Sequence, residues 1–349
     1  MKTTSGNFFE DFRLGQRIVH STPRTLTAGD VAHYQALYGS RFALQSSNKL
    51  ARSIGLPQAP LDRLLVFHTV FGKSVPDISL NAIANLGYAE GLFRKAVYPG
   101  STLCAASEVI GLKENSNKET GVVYVRTRGF DETGAEVVSY VRWAMVRKRD
   151  KGAIVPEPFV PKLAEFVSPD LLIVPECDFR NFNTALSGSP HLWDDYEIGE
   201  KIDHVDGMTV EEAEHMMATR LYQNTARVHF NHFTESKGRF GRRLIYGGHA
   251  ISLARSLSFN GLANAISIAA INGGRHVNPL FAGDTVFAWS EVLDKAKVPE
   301  RDDCAALRLR LVATKDLPCA DFPDKDASGK YPDNIILDFD YWALMPKRT

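Results

Sequence analysis

The chain has 349 residues, room for two domains of about 150, and its 41 lysines and arginines balance 41 aspartates and glutamates, which excludes the basic field that nucleic acid or an anionic membrane surface requires. No apolar run approaches the roughly 20 residues of a membrane span, and the opening Met1-Lys2-Thr3-Thr4-Ser5-Gly6 lacks the apolar stretch of a signal peptide, so a cytoplasmic protein is expected. The cysteines, Cys104, Cys177, Cys304 and Cys319, form no CxxC pair, which argues against zinc and, in a reducing compartment, against disulfides.

In chain order, residues 29–38 read as a helix. Residues 64–71, Leu64-Leu65-Val66-Phe67-His68-Thr69-Val70-Phe71, are apolar nearly all round, the pattern of a helix buried on every side. Strands follow: residues 122–128 and 137–146, joined by Asp131-Glu132-Thr133-Gly134, read as a long antiparallel hairpin. Residues 151–190 carry six prolines and little periodicity; they are expected to be a linker laid across a domain surface. A second helix at 249–259 is followed by strands near 285–293, 305–312 and 335–345. The polar, proline-containing stretch 314–334 is read as an exposed loop.

The order of elements repeats because the sequence does. Glu10-Asp11-Phe12-Arg13-Leu14-Gly15 matches Asp194-Asp195-Tyr196-Glu197-Ile198-Gly199, and the same shift of 184 carries Thr25 onto Thr209, Tyr38 onto Tyr222, Ser40 onto Asn224 and Gln45 onto His229. A shift of 183 lays Tyr98-Pro99-Gly100 on Phe281-Ala282-Gly283, and one of 199 lays Trp143-Ala144-Met145 on Trp342-Ala343-Leu344. A period this long means whole domains, since solenoid units run roughly 20 to 50 residues. The expected architecture is α+β: an N-terminal domain over residues 1–150, the linker 151–190 and a C-terminal domain over 191–349. Each would be a buried helix wrapped by an antiparallel sheet, and the two would pair edge to edge as an internal pseudo-dimer.

The chemistry concentrates in Leu221-Tyr222-Gln223-Asn224-Thr225-Ala226-Arg227-Val228-His229-Phe230-Asn231 and in Leu244-Ile245-Tyr246-Gly247-Gly248-His249 downstream. These segments resemble the MaoC-like family of (R)-specific enoyl-CoA hydratases, which have the hot-dog fold. That family places an aspartate five residues before a histidine and a glycine at the start of the central helix. The resemblance implies that His229 is the catalytic base, that Asn224 stands where the family has aspartate, and that the Gly248 N–H receives the thioester oxygen. The chemistry agrees with those roles. Water addition to an unsaturated thioester needs a base near neutral pH, and the enolate that forms needs a donor such as a helix N-terminus. At the equivalent positions the first copy has Ser40, Gln45 and Leu64, so it is expected to be inert; the tandem arrangement resembles two-domain eukaryotic hydratases of the family, which implies that this half makes room for a larger acyl group.

Asn224 departs from the family pattern, because an amide orients water but exchanges no proton. A substrate bearing its own carboxylate accounts for the change, since aspartate there would repel it. Arg227, where the family has proline, is then a candidate bidentate partner for that carboxylate. Gly247, His249 and Arg275 are further substrate-binding candidates, and Arg275-His276-Val277-Asn278-Pro279 is expected to flank the acyl-CoA channel. Asp284 reads as a turn residue and as a reserve proton donor. The whole-chain resemblance implies reversible hydration of a branched, carboxylated enoyl-CoA such as mesaconyl-CoA, with no metal or redox cofactor, CoA arriving as part of the substrate. Another enoyl-CoA hydratase, a thioesterase and a non-catalytic acyl-CoA binding module are the alternatives. Homo-oligomer formation is left open.

Overall fold

A computed structural model describes residues 2–348, so Met1 and Thr349, the outer limits of the two expected domains, lie outside the described residues. The first central helix, Arg63–Ser74, begins where the Asp62 side chain accepts the Leu64 N–H, and every one of its residues is buried. The second, Gly247–Leu257, is buried from Gly248 onward. Both are short helices without an exposed polar face, so packing rather than intrinsic propensity holds them.

Around these helices runs a sheet of 11 strands. The first copy supplies β1 (Arg17–Thr25), β2 (Ala82–Phe93), β3 (Thr102–Glu114), β4 (Thr120–Phe130) and β5 (Glu136–Arg147). The second supplies β6 (Lys201–Asp203), β7 (Met208–Thr209), β8 (Ser267–His276), β9 (Thr285–Lys297), β10 (Cys304–Lys315) and β11 (Ile335–Pro346). The spatial order β1-β3-β4-β5-β2-β8-β11-β10-β9-β6 reads the same from both ends, with β7 also on β9. The two half-sheets join where β2 pairs antiparallel with β8, Tyr88 opposite Gly274 and Leu92 opposite Ala270. Counterparts also meet each other: the Tyr38 and Tyr222 hydroxyls hydrogen-bond at 2.8 Å, and His68 Nε2 lies 3.1 Å from Ser252 Oγ. A residue that touches its own counterpart sits on a twofold axis.

The strand pair that forms this seam, like β1, β3, β6 and β7, is not among the strands read from the sequence. β2 and β8 carry Gly87, Gly91, Gly273 and Gly274, and glycine weakens the alternating signal by which strands are read. The glycines are there for close approach. A Cβ on Gly91 would lie 2.7 Å from Ile271 Cβ, and one on Gly274 would lie 2.9 Å from the Tyr88 ring. The other expected elements are present, with β9 and β10 extending further than their sequence signal.

Residues 151–190 do lie across the sheet. Phe159 bridges to Leu112 of the first copy; further on, Trp342 Nε1 donates to the Val167 carbonyl at 2.9 Å, and Phe179 N–H donates to Asp303 of the second copy at 2.7 Å. Val167, Leu172 and Phe179 join Trp342 and Leu344 in one apolar cluster, whereas Tyr341, Ala343 and Met345 face the central helices. The segment therefore covers the outer face that β-strand alternation leaves apolar. Within the 314–334 loop, Cys319 is buried and Phe322 packs edge-on to Trp289, so the loop is anchored at its base. None of the helices described is long and apolar enough to cross a membrane.

Gly72 couples the copies most tightly, because a Cβ there would run into the Tyr222 carbonyl oxygen and lie 3.4 Å from the Asn224 nitrogen. Helix propensity alone would make Gly72→Ala stabilising by about 1 kcal/mol; this contact makes it destabilising by about 1–3 kcal/mol. A denaturant midpoint equal to or above that of the parent protein would contradict the close packing.

Candidate active site

The segment before the second central helix is held in a bend. Asn224 Oδ1 accepts the Ala226 N–H at 3.1 Å, and the Ala226 carbonyl accepts the His229 N–H at 3.0 Å. His229 then lies on the single-turn helix Arg227–Phe230. Its Nδ1–H donates to the Leu244 carbonyl at 2.9 Å. A carbonyl only accepts, so the proton is fixed on Nδ1 and Nε2 keeps its lone pair. Burial pushes the imidazole down to about 4, against a partial opposing pull from the Leu244 carbonyl, so His229 is neutral and base-competent at pH 7. Asn224 is buried, and its Nδ2 has no hydrogen-bond partner among the described residues. It offers a donor where an aspartate would offer only acceptors.

The helix start supplies the third component. Tyr246 occupies the N-cap and gives no side-chain cap, and no backbone acceptor takes the Gly248 N–H among the described residues. The first copy shows what would otherwise fill this place. There Asp62, the counterpart of Tyr246, accepts the N–H of Leu64, the counterpart of Gly248, at 2.8 Å. The second copy leaves the same donor unclaimed at the positive end of the helix dipole. Both glycines are required by packing: a Cβ on Gly248 would lie 2.6 Å from His68 Cε1, and one on Gly247 would enter the His276 ring. The Tyr246 ring stands 5.5 Å from that of His229, so the imidazole and the helix start are neighbours.

The remaining candidates fall elsewhere. His249 is fully buried and points to the seam, Nδ1 3.0 Å from the Tyr38 hydroxyl, with burial pushing it down to about 3. Arg227 and Arg275 are exposed, the latter opposite Asp338 on β11. Asp284 closes a turn, its carboxylate accepting the Phe281 N–H at 2.8 Å. In the first copy Gln45 donates to the Ile266 carbonyl at 3.0 Å and serves packing between the copies. Among the described residues no group of three His, Cys, Asp or Glu is placed to hold a metal ion.

Several neighbours escaped the sequence reading. His215 Nε2 accepts the Tyr246 N–H at 2.9 Å and fixes the approach to the helix. His276, read only as part of a channel segment, abuts Gly247 and bonds the Tyr88 hydroxyl at 3.1 Å; burial and the nearby His229 hold it down at about 4. Tyr88, His68 and Phe71 come from the first copy, and only the pseudo-dimer topology could have announced them. The wall of the site is therefore composite.

Comparison with known proteins places these features in context. A family model described as mesaconyl-CoA hydratase matches residues 2–318. The chain is 65% identical over 348 residues to a β-methylmalyl-CoA dehydratase of Chloroflexus aurantiacus, covering 99% of each chain. It is 60% identical over 348 residues to a mesaconyl-CoA hydratase of Cereibacter sphaeroides, covering 99% of this chain and 100% of that one. Among solved structures, a MaoC domain protein dehydratase from Chloroflexus aurantiacus aligns with a TM-score of 0.98 and 64% identity over 100% of both chains. A Mycobacterium tuberculosis protein with a double hotdog fold, 24% identical, aligns with a TM-score of 0.75 over 98% of this chain and 99% of that one, which establishes the common fold.

Two results are expected. His229→Ala lowers hydratase activity at least about 100-fold with the fold intact, while Gln45→Ala changes it little; equal losses would refute assignment of the chemistry to the second copy. The lowered His229 pKa also sets the acid limb, because a group that protonates near 4 stays neutral where an ordinary histidine does not. Between pH 7 and pH 5.5, kcat/KM should change less than about twofold, against the roughly tenfold fall given by a histidine titrating at its unperturbed value. A limb near the ordinary histidine range would contradict the desolvated setting of His229.

Proposed function

The chain belongs to the mesaconyl-CoA hydratase family and is a hydro-lyase, and from that premise we propose that it reversibly adds water to mesaconyl-CoA to give β-methylmalyl-CoA. The observation that carries the site assignment is the tautomer of His229, whose Nδ1–H is committed to the Leu244 carbonyl, leaving Nε2 as a base in the recess of the unclaimed Gly248 N–H. In this reading water is held by His229 Nε2 and the Asn224 amide. Its oxygen bonds to the β-carbon, Nε2 takes the proton released, and the displaced π electrons move onto the thioester oxygen, which the Gly248 N–H stabilises. The same imidazolium returns the proton to the α-carbon, since Asn224 exchanges none. Proton and hydroxyl then arrive from one face. We read these steps as needing no metal or redox cofactor; CoA enters with the substrate, and we read the enzyme as cytoplasmic.

Arg275, exposed at the end of β8 beside His276, is proposed to meet the anionic nucleotide of CoA. A single assay tests the reaction class: hydration removes the enoyl absorbance, hydrolysis releases a free thiol, and a binding module does neither.

Asn224 decides between a carboxylated and a neutral acyl group. Asn224→Asp should lower kcat/KM for mesaconyl-CoA at least about tenfold through like-charge repulsion in a dry site. It should leave crotonyl-CoA turnover unchanged or raised. Parallel losses on both substrates would remove the argument that the amide accommodates an anion.

A further inference from the structure

Arg142, on β5 of the first copy, is a buried charge that the reaction scheme does not use. It is fully buried, with Nη1 3.2 Å from Ser79 Oγ and Nη2 2.8 Å from Ser74 Oγ. Its guanidinium lies 4.3 Å above the Phe71 ring, and Nε has no partner among the described residues. Two residues earlier on the same strand face, the buried Tyr140 hydroxyl has no partner within hydrogen-bonding distance among the described residues, with Thr127 and Ser74 its nearest polar neighbours. The titratable groups near enough to act on Arg142 are the phenols of Tyr140, Tyr88 and Tyr246; no carboxylate pairs with it among the described residues. Guanidinium does not deprotonate in proteins, and burying it without an anion is expensive.

The other half of the pseudo-dimer contains the same device with its anion built in. Arg255 donates to Ser258 Oγ at 2.9 Å, and Ser258 is the counterpart of Ser74. Its guanidinium stacks 3.5 Å above Phe42, and the Asp62 carboxylate is near enough to act on it. Helix and strand have exchanged roles: Arg255 is the counterpart of Phe71, and Arg142 that of Tyr341. Asp62 does two things at once there, accepting the helix-start N–H of Leu64 and facing a buried guanidinium. In the catalytic half Tyr246 replaces Asp62, so both the Gly248 N–H and Arg142 lack what Asp62 provides.

Position agrees with this comparison. Arg142 is the cross-strand partner of Tyr88, so both project from the same sheet face, and the Tyr88 hydroxyl reaches His276 at the helix start. Phe71, beneath Arg142, has its ring 6.2 Å from Tyr88 and 5.6 Å from Tyr246. These two tyrosines stand between the helix start and the guanidinium. We propose that Arg142, with the Tyr140 hydroxyl, is the subsite that receives the free carboxylate of the acyl group while the thioester oxygen rests on the Gly248 N–H. The inference rests on the mesaconyl-CoA reading and assigns the task to the inert copy in place of Arg227. Arg227 is exposed, and an ion pair in water discriminates weakly.

The test compares kcat/KM for mesaconyl-CoA and crotonyl-CoA in the full-length protein and in Arg142→Met, Tyr140→Phe and Arg227→Met. Arg142→Met should lose about 10- to 150-fold on mesaconyl-CoA and less than about threefold on crotonyl-CoA. Tyr140→Phe, which removes one oxygen and little volume, should lose about 3- to 10-fold with the same selectivity, and it decides the matter if Arg142→Met does not fold. Arg227→Met should not discriminate. Equal losses on both substrates in the folded Arg142 or Tyr140 variant, or a selective loss confined to Arg227→Met, would overturn the assignment. Failure of the unmodified enzyme to hydrate mesaconyl-CoA at all would instead remove the parent reading.

Discussion

Antiparallel pairing of β2 with β8 is the constraint from which the rest follows. It joins two half-sheets through glycine-bearing strands and sets the two buried helices side by side. Counterpart residues meet on the axis at Tyr38–Tyr222 and His68–Ser252. Because the strands approach so closely, side chains of one copy enter the recess of the other: Tyr88 reaches His276, and His68 packs on Gly248. In this arrangement the first copy contributes side chains beside the second copy's helix start.

The two helix starts show what divergence has done. In the first copy Asp62 satisfies the helix N–H groups and keeps Arg63 and Arg255 company in the interior. Arg63 stands where the second copy has Gly247, and its Nη1 donates to the Ile268 carbonyl at 2.7 Å. That end of the sheet has become structural. In the second copy the corresponding groups are left open, and the imidazoles around them, His68, His215, His229, His249 and His276, are all held below the ordinary histidine range by burial. A recess lined by neutral imidazoles, an amide and an unclaimed N–H offers an enolate and a carboxylate no competing negative charge.

Much of this was written legibly in the chain. The duplication located two copies of one fold, and Gln45 opposite His229 and Leu64 opposite Gly248 are the differences on which the second copy is proposed as the working half. The buried helices stood out because no polar face interrupts them. What the pattern concealed has a physical reason in each case. β2 and β8 were missed because the glycines that permit close packing erase the alternation of a strand. Arg142 was missed because its neighbours in sequence, Val141 and Trp143, face the other way, and its significance appears only when β5 is set against β2. Arg227 drew attention through its motif position, but a single-turn helix carries it to the surface.

The central claim is that one substrate spans both copies, its thioester end governed by the second and its carboxylate end by the first. A crystal structure with succinyl-CoA, a saturated analogue that cannot be hydrated, tests this most directly. The account predicts the thioester oxygen at hydrogen-bonding distance, about 3 Å, from the Gly248 nitrogen, and the free carboxylate against Arg142 and Tyr140. A carboxylate resting on Arg227 at the surface, or an acyl group held at the Leu64 end of the first helix, would contradict it.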